Sequence, residues 1–187
     1  MKLGLTEKIF IGLAFCGVAA IGYSLIKKNT KQPNVIYLLG GLDTRKNDKD
    51  ITVQSKLLKE GAGNNLEVKG FRYNNPKGIL KEIENNSNCY VVLFSAGCKH
   101  AFEVAEKLKQ EGGDLSKMYV VEPYNSTATI NSVKNAVNYG VPTKNIITGT
   151  YAQVGKGMVD GSTTTPKCSP SHWCSLSEVG KMILKTK

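Results

Sequence analysis

The chain has 187 residues and a formal charge of +10. Five lysines and one glutamate within residues 1–31 supply +4 of it, and the remainder is scattered, with only two arginines, Arg45 and Arg72. A nucleic-acid footprint concentrates its basic residues on one face, so nucleic acid is not an expected partner, and the length allows one domain with a real core plus a leading segment.

That leading segment is residues 1–31. A polar start is followed by an uncharged apolar run, 9–26, closed by Lys27-Lys28. Eighteen helical residues reach ~27 Å, about one bilayer core. The run therefore reads as a transmembrane signal-anchor or a signal peptide, and the membrane as a partner through it. Its many small residues (Gly12, Ala14, Gly17, Ala19, Ala20, Gly22) are similar to the signal-anchor-release segments of some phage lysis enzymes. Lysines on both flanks leave the orientation open. The expected location is membrane-anchored or exported.

Residues 32–187 alternate between short apolar runs and helical patterns. Val35-Ile36-Tyr37-Leu38-Leu39 is a strand that ends in Gly40-Gly41. A helix is predicted over 51–60, a strand over 66–73, and a helix from Pro76 to Ile83, since proline suits a first turn. Tyr90-Val91-Val92-Leu93-Phe94 is a buried strand, with a helix expected over 99–110. A strand over 118–122 ends at Pro123. A helix over 126–139 stops at Gly140 and Pro142, a short strand covers 145–148, and a Gly/Thr-rich loop runs over 149–166. The final helix is expected over 175–185. Apolar strands without period-2 alternation imply a sheet covered on both sides. The predicted fold class is thus α/β, a three-layer sandwich with a mostly parallel central sheet of about five strands.

Ser95 follows the third strand and is itself followed by Ala96 and Gly97. Strand, sharp turn with serine, then helix is the layout of a nucleophile elbow, where small neighbours are needed around a strained serine. Leu93 departs from the usual glycine two residues before it. A serine hydroxyl needs a base. Only two histidines occur, and His172 lies on a loop, Ser169-Pro170-Ser171-His172-Trp173-Cys174, just ahead of the last helix. His100, in the first turn after the elbow, reads as a half-exposed structural residue. Outside the membrane segment, which holds Cys16, there are four cysteines. Cys168 and Cys174 bracket His172 at a spacing that a loop-closing disulfide could bridge, the alternative being two free thiols. No cofactor is implied, and neither cysteine pair has zinc-site spacing.

With Ser95, a carboxylate and His172 in this order, residues 34–187 resemble an α/β-hydrolase, in a minimal form like cutinases and small lipases. The resemblance implies that Leu39-Gly40-Gly41-Leu42 is the oxyanion loop, with Gly41, Leu42 and the N–H of Ala96 around the developing charge, although the histidine of the family's His-Gly-Gly loop is missing. Ser95 matches its nucleophile, and Ser171-His172-Trp173 its histidine loop. Two carboxylates compete as the acid. Glu122 ends the strand after the elbow, similar to the Asp-Pro position of pancreatic-type lipases. Asp160, in Val159-Asp160-Gly161, precedes the histidine by 12 residues, a layout like that of cutinases. The commonest family position corresponds to Thr150-Tyr151-Ala152 and holds no acid. Asp43 reads as a turn residue.

The expected function is a membrane-tethered or exported serine hydrolase acting on ester or lipid substrates. The alternatives are a non-catalytic membrane-held α/β binding or envelope protein and a phage-type lysis enzyme.

Overall fold

The computed structural model describes residues 32–42, 49–149, 158–164 and 173–186. The elements run β1 (Val35–Leu39), α1 (Lys49–Ala62), β2 (Glu67–Phe71), α2 (Pro76–Asn85), β3 (Tyr90–Phe94), α3 (Ala101–Gln110), β4 (Met118–Val121), α4 (Thr127–Tyr139), β5 (Ile146–Thr148), β6 (Thr163–Thr164) and α5 (Cys174–Lys185). All strand pairs are parallel, in the order β2-β1-β3-β4-β5-β6.

Local chemistry explains the boundaries. The side chain of Asn75 accepts the Gly78 N–H at 3.2 Å, and Pro76 opens α2 where a missing N–H costs nothing. The hydroxyl of Ser126 accepts the Thr129 N–H and caps α4. Gly140 ends that helix at φ 128°, a conformation open to glycine and costly for other residues.

The strands sort their side chains by pleat. Val35, Tyr37, Leu39, Val91, Leu93, Met118 and Val120 pack in one buried cluster with residues of α2, α3 and α4. Ile36, Leu38, Tyr90, Val92, Phe94, Tyr119 and Val121 pack in a second one with α1 and α5. This is the three-layer α/β sandwich. Leu93 packs in the first cluster, together with Cys98 of the turn that follows Phe94. On the other face α1 and α5 approach through glycines. A Cβ on Gly61 would strike the backbone of Ser177, and one on Gly180 would strike Leu58 O and Ala62 N.

Two expectations need correction. The sheet has six strands rather than five, because Thr163–Thr164, expected as loop, pairs with Ile147 and Thr148. Two residues are too few to leave a periodic signal. The sheet is also not covered everywhere, since β2 at its edge is only partly buried. Among the described residues no helix is long and apolar enough to cross a membrane. The signal-anchor or signal peptide expected within 1–31 lies outside the described residues, as do Asp43, 150–152, Cys168 and His172.

Chain direction across the sheet reverses once. From β1 the chain moves outward to β2, then returns past β1 to β3 and continues to β6. With right-handed crossovers, that reversal puts α1 and α2 on opposite faces and opens a crevice beyond the C-terminal ends of β1 and β3.

Candidate functional site

Ser95 sits at that crevice. It is the first residue after β3, it is 9% exposed, and its φ is +51°. Left-handed backbone costs a non-glycine residue about 1–2 kcal/mol, so the surrounding turn must hold it there. The turn continues as a tight 3-10 segment, Ser95–His100, before α3 begins; the helix expected over 99–110 thus starts later and is preceded by this coil. Three contacts fix the turn. The Cys98 thiol donates towards Leu93 O at 3.3 Å and Val121 O at 3.5 Å. Tyr124 N–H donates to Ser95 O at 3.3 Å. Gly97 lies so close to β1 that a Cβ there would come within 2.6 Å of the carbonyl oxygens of Leu39 and Gly40.

Gly41 meets the serine from β1. A Cβ on Gly41 would stand 3.0 Å from Ser95 Cβ and 3.2 Å from the Phe94 ring. Of the residues expected around the oxyanion, Gly41 and Ala96 therefore flank Ser95, while Leu42 follows Gly41 with its side chain exposed. One feature departs from that expectation: the Gly41 N–H is already donated to Gln54 Oε1, at 3.0 Å. Gln54, from α1, is 1% exposed, and its Nε2 is buried without a hydrogen-bond partner among the described residues. A donor amide thus stands beside the loop that was expected to donate through its backbone.

Glu122 lies at the end of β4, the strand next to β3. It is completely buried and also has a left-handed backbone, φ +46°. Its N–H donates to Ile147 O at 2.7 Å, which holds it to β5. Ser175, in the first turn of α5, donates its hydroxyl to Glu122 Oε1, and Oε2 is buried with no hydrogen-bond partner among the described residues. Gly149 lines the carboxyl, and a Cβ there would run into it. Burial raises the carboxyl above the usual glutamate range, and the Ser175 hydrogen bond only partly offsets this.

Asp160 is not brought to this place. Gly161 precedes β6 and faces Thr143, and Asp160 is exposed beside Lys134, Val137 and Asn138 near the end of α4. The register puts Gly161 level with Asn145, and Glu122 level with Thr148. Three residues along a strand amount to about 10 Å, and two strands sideways to about another 10 Å. Asp160 therefore stands at the entrance end of the sheet, whereas Ser95 and Glu122 stand at the exit end.

His100 is paired through Nδ1 with Glu103 Oε2 at 3.0 Å, the structural role expected of it. His172 lies outside the described residues, but the chain leaving it is described: Trp173 leads into α5, two residues before the Ser175 that meets Glu122. Cys174 is disulfide-bonded, to a partner outside the described residues. Cys89 and Cys98 are free and buried, and burial raises both thiols, that of Cys89 to about 12. Neither is a nucleophile at neutral pH.

Sequence reasoning missed Gln54 and Ser175. Gln54 falls between Ile51 and Leu58 on the apolar side of α1, a weak signal that was available. Ser175 carries none, because its partner is 53 residues away. In comparisons with known proteins, no family model, no curated protein and no solved structure matches the chain. The functional reading therefore rests on the geometry of the site.

Proposed function

We propose that the protein is a serine hydrolase of the α/β-hydrolase kind, acting on ester or lipid substrates at a membrane or after export. The observation that carries this is the pair of strained residues at neighbouring strand ends: Ser95 beside Gly41 at the switch point, and the buried carboxyl of Glu122 one strand away. Strain of this kind persists only where surrounding structure enforces it, and it clusters at functional turns.

The mechanism assigns each group one task. Ser95 Oγ attacks the ester carbonyl while His172 takes its proton and later returns it to the leaving alcohol. Glu122, with one oxygen held by Ser175 and the other without a partner among the described residues, accepts the imidazole N–H and stabilises the imidazolium. His172 precedes by three residues the Ser175 that meets Glu122, a separation that would let the base reach its acid. The Ala96 N–H and the Gln54 amide supply donors for the oxyanion. A Cys168–Cys174 bridge would clamp the histidine loop at the start of α5.

A second reading has its own observation. The strand order β2-β1-β3-β4-β5 also occurs in doubly wound domains that bind ligands at the switch point without ester chemistry, and the Gly41 N–H engaged by Gln54 suits a binding domain. A fluorophosphonate probe separates the two readings. Covalent labelling of wild-type protein that is lost in Ser95→Ala supports the hydrolase; an unlabelled, folded wild-type protein leaves the binding domain.

A further inference from the structure

The end of the sheet remote from Ser95 holds a cavity of about 430 Å³. It lies between the last turn of α5 and the starts of β3 to β6. Three lysines line it: Lys117 ahead of β4, Lys144 ahead of β5, and Lys185 at the end of α5. Among the described residues no carboxylate belongs to its lining. Asp114 approaches Lys117 only to 3.9 Å and is itself half-exposed, and among the described residues neither Lys144 nor Lys185 has an ion-pair partner.

The frame under these charges is rigid. Asn145 is 4% exposed, and its amide donates to Ser116 O at 2.8 Å and to Met118 O at 3.0 Å, tying the turn before β5 to the start of β4. Thr163 Oγ1 donates to Lys144 O at 2.7 Å and ties in β6. The backbones of Lys117 and Lys144 are thereby set before any ligand arrives, which lowers the cost of binding. Tyr90 and Tyr119, 1% and 3% exposed, and the Met182 side chain give the cavity an apolar wall. Lys185 also offsets the negative end of α5.

We propose that this cavity is a binding site for a small phosphate-bearing molecule, separate from the Ser95 site, with Lys117, Lys144 and Lys185 holding the phosphate and Tyr90, Tyr119 and Met182 contacting its organic body. Three ammonium groups suit a dianion better than a single carboxylate. The volume is of the size that small-molecule sites occupy, roughly 300–1,000 Å³, and exceeds what inorganic phosphate would fill. The phosphate can belong to a soluble monoester or to a lipid headgroup, and two probes distinguish these sources.

The test is titration calorimetry on the full chain in mild detergent, with phenyl phosphate as soluble monoester and dihexanoyl phosphatidic acid as headgroup. The lipid is titrated into Ser95→Ala so that its acyl esters survive. Saturable binding of at least one probe is expected, weakened at least about tenfold in Lys144→Gln/Lys185→Gln, a loss equivalent to 1.4 kcal/mol or more. Lys144→Arg should retain it, and so should Lys77→Gln/Lys81→Gln, which removes the same charge from exposed positions of α2. Binding of the lipid probe alone assigns the headgroup as ligand. No saturable binding of either probe overturns the site, as does an equal loss in the Lys77/Lys81 control, which would reduce the effect to the overall charge.

Discussion

The strained serine makes a prediction that needs no assumption about substrate. At φ +51°, Ser95→Ala keeps the side-chain carbon in the unfavourable region and should leave the strain in place. Ser95→Gly removes that carbon, and with it the clash that makes left-handed backbone costly, about 1–2 kcal/mol. The side chain removed is small, so its loss opens no large cavity. Part of the gain is offset by the greater freedom of glycine in the unfolded chain, about 0.5–1 kcal/mol. Ser95→Gly should therefore exceed Ser95→Ala in stability by up to about 1 kcal/mol, which for a domain of this size is roughly 2–4 °C in Tm. Urea unfolding at equal m-values is the assay, alongside hydrolysis of a short p-nitrophenyl ester. Both variants should lose that hydrolysis by ~10³-fold or more. A Ser95→Ala protein more stable than Ser95→Gly would refute the strained elbow, and full esterase activity in either variant would refute the mechanism.

Glu122→Gln should separate stability from activity. The folded carboxyl has a raised proton affinity because it is buried, so its ionisation is harder in the folded than in the unfolded chain. Its contribution is full below the unfolded value near 4.3 and is lost as pH rises through the higher folded value. Wild type should thus lose stability relative to Glu122→Gln as pH rises from 4 to 7, by about 1.4 kcal/mol for each tenfold difference in proton affinity; identical pH profiles of Tm would contradict this. Turnover of Glu122→Gln should fall by about 10⁴, while Asp160→Asn, at the far end of the sheet, should stay within about twofold; the reverse ranking in ester hydrolysis would move the acid. His172→Ala should match Ser95→Ala in lost activity, and His100→Ala should keep most of it, as measured by kcat/KM on the same ester. Gly180→Leu should destabilise the fold by several kcal/mol, on the order of 3 or more, because its side chain meets backbone atoms of α1 that cannot give way; an unchanged urea midpoint would show that α1 and α5 do not cross there.

How much of this protein could be read from its residues depends on the range of the forces involved. Uninterrupted apolar runs at 35–39, 90–94 and 118–121, short and rich in β-branched and aromatic residues, read as strands buried on both faces, so the parallel sheet and its helical layers were legible. So was the place of Ser95 at a strand end, since Ala96 and Gly97 are what a tight turn needs. Which of Glu122 and Asp160 shares an end of the sheet with Ser95 was not, because that follows from the register of β4 with β5 and of β5 with β6. The short β6 itself forms only because its neighbour is already present. Ser175 on Glu122, Gln54 on the Gly41 N–H, and the gathering of Lys117, Lys144 and Lys185 around one cavity all join residues far apart in the chain. Local sequence determined which segments are strands, helices and turns; only tertiary packing decided which polar groups lost water together, and burial is what turns such groups into a site.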